Sequence, residues 1–188
     1  VLIRERTHMP RALLEKLPKL KLIVQTGRMG NHIDLPACTE LGIAVMAGTG
    51  SPVAAAELTW ALIMAASRRL PQYMANLRHG VWQQSGFKAS SMPPNFGLGT
   101  VLRGKNLGIL GFGNIGQLVA GYGKAFGMQV LIAGSEASQA HAKELGYTTV
   151  SRSDLFTQSD FLSLHLRLSE QTLHGVTLQD LTSMKATA

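Results

Sequence analysis

Short apolar runs alternate along most of the chain with longer stretches in which apolar positions recur every three or four residues. Residues 1–3 form an extended apolar run, Pro10 opens a helix over residues 11–17, and residues 20–25 read as the next strand. After a turn through Gly27, Arg28, Met29 and Gly30, the pattern predicts a short helix over 34–41, with Pro36 near its first turn and Gly42 stopping it. A strand over 43–46 follows. Apolar strands separated by amphipathic helices belong to parallel sheets, whose faces are covered by the crossover helices.

Gly48, Gly50 and Pro52 break this pattern, and a domain boundary is expected there, between residues 1–50 and 51–188. Ser51 and Pro52 read as the cap and first residue of an apolar helix reaching about Arg69. Leu70-Pro71 interrupts it and starts a second helix that ends near His79-Gly80, so residues 51–80 form linking helices. Residues 81–103 carry Gly86, Pro93, Pro94, Gly97 and Gly99 with little periodicity, the signature of a long surface loop. From Lys105 the alternation resumes, with strands over 107–110, 128–133, 148–150 and 161–166. Helices over 114–126 and 138–145, a helical turn over 153–157, and a last helical turn over 178–184 complete the reading.

Composition narrows the class. With 45% hydrophobic and 15% charged residues the chain resembles ordinary globular proteins, and it has no run of eighteen apolar residues to span a bilayer. The lone Cys38 excludes an internal disulfide framework and a cysteine-rich zinc site, which fits a reducing, cytoplasmic setting. The net charge of +7 is spread over separated arginines and lysines. That spread reads as a solvated surface or as a field favouring anionic ligands, and it lacks the basic-aromatic strip of a nucleic-acid binder. Val1 opens directly in an apolar run with no initiator methionine, so the natural chain is expected to begin upstream.

The strongest chemical signal is Gly111-Phe112-Gly113-Asn114-Ile115-Gly116, a Gly-x-Gly-x-x-Gly pattern between an apolar strand and a helix. Gly111 allows a sharp turn, Gly113 lets a ligand approach the backbone, and Gly116 lets the helix pack on the strand it has left. The helix start then offers unpaired N–H groups and a positive dipole end to a pyrophosphate. Glycines also suit a tight strand-to-helix turn with no ligand, and the surrounding order of elements favours the dinucleotide reading. Residues 105–188 thus read as the first half of a dinucleotide-binding (Rossmann) domain, and residues 1–50 as part of a parallel-sheet domain before it. The fold class is α/β.

Three separated stretches resemble one family, the D-isomer-specific 2-hydroxyacid dehydrogenases, and most closely its phosphoglycerate dehydrogenase branch. They are Gln25-Thr26-Gly27-Arg28-Met29-Gly30-Asn31-His32-Ile33-Asp34, Val53-Ala54-Ala55-Ala56-Glu57-Leu58-Thr59, and Gly104-Lys105-Asn106-Leu107-Gly108 running on to Gly116. A fourth, Phe161-Leu162-Ser163-Leu164-His165-Leu166 with Thr172 after it, is similar to the family's later cofactor-contacting strand.

The resemblance implies hydride transfer between a nicotinamide cofactor and C2 of a D-2-hydroxy acid, with 3-phosphoglycerate as one such acid. It places the cofactor on Gly111, Phe112, Gly113, Asn114, Ile115, Gly116, Gly134, Ser135, His165, Leu166, Arg167 and Thr172. The substrate carboxylate falls on Gly27, Arg28, Met29 and Gly30, which as a tight glycine turn at a strand end also form an anion nest or a plain turn. Arg28 is read equally as an anion partner or as a solvated side chain. The acidic residue expected about twenty positions after the glycine turn, to bind the ribose hydroxyls, is replaced by Gly134. Either Glu136 substitutes, or Gly134 and Ser135 leave room for a 2′-phosphate. No arginine adjoins that strand end, so NAD is favoured over NADP. Arg167 stands where the family has proline.

The family's catalytic arginine, glutamate and histidine lie beyond the segment matching residues 183–188, so no catalytic residue is assigned and no turnover is expected from this chain alone. His165 and His174 are read as strand-end and loop residues, and no histidine pair has metal-ligand spacing. The resemblance also makes the helices of 51–80 dimer-forming elements of a homodimer, with a buried interdomain helix as the equal alternative. A non-catalytic NAD-binding corepressor of the same fold is the second functional reading. A methyltransferase with the same glycine turn is disfavoured because its substrate domain would not come first.

Overall fold

The computed structural model describes residues 1–4, 7–27, 29–80 and 99–188, which fall into two compact units, Val1–Ser51 and Pro52–Ala188. Arg28 and most of the loop expected over 81–103 lie outside the described residues.

In the first unit β1 (Leu2–Arg4), β2 (Leu22–Thr26) and β3 (Ala44–Ala47) form a parallel sheet in the order β1-β2-β3. Helix α1 (Arg11–Leu14) is shorter than the sequence pattern predicts. Pro18 disfavours a helical Leu17, and the chain closes instead through tight turns in which Lys16 N–H donates to Leu13 O and Leu17 N–H to Leu14 O. Helix α2 (Leu35–Glu40) begins one residue later than expected, because Asp34 is its cap: the carboxylate accepts from Ala37 N–H at 2.9 Å, and Pro36 occupies the first turn, where its missing N–H costs nothing. Ile3, Leu14, Ile23, Ala37, Cys38 and Ile43 fill the core between sheet and helices.

The second unit holds β4 (Asn106–Leu110), β5 (Gln129–Ala133), β6 (Thr148–Thr149) and β7 (Phe161–Leu164), all parallel, in the order β6-β5-β4-β7. Side chains alternate across this sheet. Leu107, Ile109, Val130 and Ile132 pack with Val119 and Ala120 of α5 (Asn114–Ala125) on one face. Leu110, Leu131 and Ala133 pack with Leu155 and Phe156 of α7 (Arg152–Gln158) on the other. Gly108 faces α7 so closely that an added Cβ would collide with the Ser159 hydroxyl.

The helices differ from the sequence expectations at their ends. Helix α3 (Val53–Ser67) begins one residue late, since the Pro52 carbonyl takes the first helical hydrogen bond from Ala56 N–H at 3.1 Å and Ser51 lies outside. The break before α4 (Leu70–Arg78) is made by Arg69 in the left-handed region, φ 52°. Helix α6 (Glu136–Glu144) starts two residues earlier than expected, because the Ser135 hydroxyl accepts from Ser138 N–H at 3.3 Å. Helix α7 is longer than the predicted turn, since the Ser151 hydroxyl caps it and Leu155 and Phe156 bury its inner face. Strand β7 ends at Leu164, and α8 (Leu178–Thr182) is opened by a capping box between Thr177 and Asp180. The end of the expected surface loop is anchored: Thr100 N–H donates to Ser67 O at 2.6 Å, and Leu102 is buried in the core. Among the described residues no helix is long and apolar enough to cross a membrane.

Candidate functional site

Strand order creates the site. From β4 the chain steps outward to β5 and β6, then returns to place β7 on the other side of β4. At that reversal the loops after neighbouring strands diverge and leave a crevice at their C-terminal ends. Gly111, Gly134 and His165 directly follow β4, β5 and β7.

The three glycines of the turn meet three different demands. Gly111 has φ +97°, and an added Cβ would lie 2.8 Å from the His165 carbonyl oxygen. Gly116 faces the Gly111 carbonyl so closely that no side chain fits, which seats α5 on the turn. At Gly113, by contrast, a Cβ would meet no protein atom within 4 Å. Gly113 is also the N-cap of the twelve-residue α5 and supplies no side-chain acceptor. The first-turn N–H groups of Asn114, Ile115 and Gly116 lack intrahelical acceptors, so a partly positive end faces open space beside a residue without a side chain. Phe112 points away, buried against the rings of Tyr147 and His141 at centroid distances of 5.4 and 6.0 Å, so only its backbone is available to a ligand.

Gly134 sits against the same turn, where a Cβ would come within 3.7 Å of Gly111 Cα. Ser135 caps α6, and Glu136 is exposed in the first turn of that helix. Beyond β7, Leu166 contributes to the wall around Gly111, its Cδ2 lying 3.1 Å from the Cβ position there. Leu166, Arg167 and Thr172 also border a shallow cavity of about 170 Å³. The Thr172 hydroxyl donates to Arg167 O at 2.6 Å and accepts from Ser169 N–H at 2.8 Å, which ties this loop into a compact turn. Thus the twelve residues named from the sequence lie on the loops that follow β4, β5 and β7 and on the first turn of α5.

Three polar residues with no motif of their own brace these loops. Gln117 Nε2 donates to Phe112 O at 3.3 Å and Gln139 Nε2 to Gly134 O at 2.9 Å, each reaching back five residues from a helix to the loop before it. The third is Ser163, buried at 8% exposure with its hydroxyl 2.8 Å from His165 Nε2. Burial lowers the imidazole pKa of His165 by disfavouring the charged ring. His174 is exposed, with φ 54°.

In the first unit the loop after β2 begins at Gly27, φ +94°, and a Cβ on Gly30 would lie 3.0 Å from His32 Nδ1. Met29 packs partly against the core. The Gly48 N–H donates to Gln25 O at 2.8 Å, and a Cβ there would come within 3.4 Å of Gly27 N, so a second glycine outside the motif keeps the loop's backbone clear. Arg28, the expected cationic member, lies outside the described residues. Among the described residues no three His, Cys, Asp or Glu side chains form a metal-holding group.

Known proteins share this arrangement. Residues 60–188 match the family described as "D-isomer specific 2-hydroxyacid dehydrogenase, NAD binding domain". The glyoxylate reductase of Aeropyrum pernix is 41% identical over 94% of this chain and 52% of its own. A phosphoglycerate oxidoreductase from Vibrio cholerae superposes with TM-score 0.85 at 48% identity, over 98% of this chain and 56% of its own. A D-lactate dehydrogenase from Aquifex aeolicus, solved with NAD and lactic acid, superposes with TM-score 0.74 at 31% identity, over 98% and 53% of the two chains. The chain therefore spans about half the length of these relatives.

Proposed function

This chain belongs to the D-isomer specific 2-hydroxyacid dehydrogenase family, and from that membership we propose that it carries the cofactor- and acid-binding elements of an enzyme that moves hydride between nicotinamide and C2 of a D-2-hydroxy acid. NAD is the cofactor of the matched domain. The observation that carries the reading is the contrast within one turn: Gly111 and Gly116 are packed shut while Gly113 opens at a helix start. A turn built only to reverse the chain has no need of that opening.

Bound NAD supplies the hydride acceptor. In this reading the amides of Asn114 and Ile115 hold the pyrophosphate, and Gly134 clears the turn. Ser135 or Glu136 meets the adenosine ribose, and the loop from His165 to Thr172 walls the other side. The amides around Gly27 and Gly30 take the substrate carboxylate, and the sequence makes Arg28 a candidate partner for the same anion. NAD held there would accept hydride from C2, and the hydroxyl proton would need a base from the protein. His165 is not assigned that role: its ring is held by Ser163, and it has no carboxylate partner among the described residues. Residues 1–188 are therefore assigned binding without turnover. Glyoxylate reductase and phosphoglycerate oxidoreductase are both names borne by relatives, and both acids are candidates.

The whole protein is assigned a homodimer through α3 and α4. Helix α3 exposes Leu58 at 62% and Leu62 at 61%, and α4 exposes Leu70, Met74 and Leu77, apolar side chains that a second copy would cover.

The test is titration of the natural full-length protein and of residues 1–188 with NADH, followed by addition of glyoxylate, and the reverse assay with NAD and 3-phosphoglycerate. Binding by both, with turnover only by the longer protein, is expected. Absence of NADH binding by both overturns the reading, and turnover by residues 1–188 overturns the assignment of binding alone.

A further inference from the structure

Ser163 stands in an otherwise apolar strand, on the same sheet face as Ile109 with which it is in register. Burying its hydroxyl there costs free energy unless it is paired. Its partner is two positions along the same face, His165 Nε2 at 2.8 Å. His165 is the first residue past β7, and its N–H donates to Leu110 O at 2.8 Å, which extends the β4–β7 ladder by one rung. The next residue after Leu110 is Gly111, and the space that a side chain there would need is filled by the His165 carbonyl carbon and oxygen, 3.0 and 2.8 Å from the Cβ position. The last ladder bond fixes the N–H side of His165. Its carbonyl side leaves the strand and enters the loop after β7, where the bond between the imidazole and Ser163 is a second anchor on the same residue.

We propose that Ser163 is a positioning residue for the dinucleotide turn: its buried hydroxyl fixes the His165 ring, and through it the backbone wall against which Gly111 closes. The inference rests on the reading that a dinucleotide binds at Gly111–Gly116, and it adds the device that sets the width of the crevice. No proton or electron is transferred. Ser163 touches no ligand, and its effect passes through the position of the His165–Leu166 peptide.

The test compares the full-length protein with its Ser163→Ala and Ser163→Thr variants by three measurements: NADH affinity, thermal midpoint, and NMR of the Gly111 amide and the His165 ring nitrogens. Loss of one neutral hydrogen bond at the wall predicts about three- to tenfold weaker NADH binding in Ser163→Ala. The Gly111 amide is expected to shift and the ring nitrogens to average between tautomers, with the thermal midpoint little changed. Ser163→Thr restores the ring signals and most of the affinity. Unchanged ring and Gly111 signals in Ser163→Ala overturn the proposal, whether or not affinity falls, because any loss would then come from packing. If the unmodified protein fails to bind NADH, the dinucleotide reading falls, while the ring and Gly111 signals still decide whether Ser163 positions the turn.

Discussion

Gly111 and Gly113 are two residues apart and meet opposite surroundings: a Cβ on the first would lie 2.8 Å from the His165 carbonyl oxygen, while a Cβ on the second would touch no protein atom within 4 Å. One position serves the fold and the other is free for a ligand. Gly113→Leu is expected to change folding stability by no more than about 0.5 kcal/mol, because its φ of −84° suits any L-residue and the space is open. The same variant should weaken NADH binding more than tenfold, read by fluorescence titration. Gly113→Leu that binds NADH as the unmodified protein does would remove the pyrophosphate from this turn.

Gly111→Ala makes the complementary case. The positive φ and the crowded His165 peptide predict a loss of about 1–3 kcal/mol in urea unfolding. A neutral result would show that the turn relaxes more easily than its packing implies.

Two groups set a pH dependence of stability. His165 has a folded pKa below its ordinary value because burial disfavours the charged ring. The unfolded chain then takes up the proton first as pH falls, so stability is complete above about 6.5 and declines below it, toward the lower folded pKa. Urea midpoints measured between pH 5 and 8 should fall on the acid side, and His165→Asn should flatten that slope. Asp180 is held down to about 2, chiefly by its hydrogen bond to Arg152 at 2.8 Å and also by the Thr177 N–H. Its contribution is present above the ordinary carboxylate pKa of about 4 and is lost as pH falls toward 2. Asp180→Asn should remove part of the acid sensitivity in that lower window only.

Phe156 is 1% exposed and packs beneath β4 and β5 with Leu155. Phe156→Ala is expected to cost about 3–5 kcal/mol by denaturant titration, since a buried aromatic leaves a cavity that a parallel sheet cannot collapse into. A cost below about 1 kcal/mol would show that α7 is not a fixed cover of that sheet face.

Leu58→Lys with Leu62→Lys adds charge to the exposed apolar face of α3. Light scattering of the full-length protein should shift from dimer to monomer at unchanged NADH affinity. A dimer that persists with both lysines in place would move the interface elsewhere.

By itself the sequence determined the kinds of elements and the residues at their breaks. Strand and helix periods are local properties of a few consecutive side chains, so the apolar runs at β2, β4, β5 and β7 and the glycine turn at Gly111–Gly116 were legible without coordinates. So were Pro36 in the first turn of α2 and the interruption near Leu70-Pro71. Helix ends were less legible: α1 stops early and α6 starts early because single turn and cap hydrogen bonds, at Leu17 and Ser135, shift the boundary within a periodic stretch. Only the tertiary structure decided that β7 lies beside β4, pairing Ile109 with Ser163 across more than fifty intervening residues. That pairing opens the crevice, fills the space beside Gly111 with the His165 peptide, and turns Ser163 from an unremarkable strand residue into the anchor of a ring. Pairing between distant segments depends on which faces can be buried together once the loops have closed, and that free energy belongs to the whole sheet, not to any window of sequence.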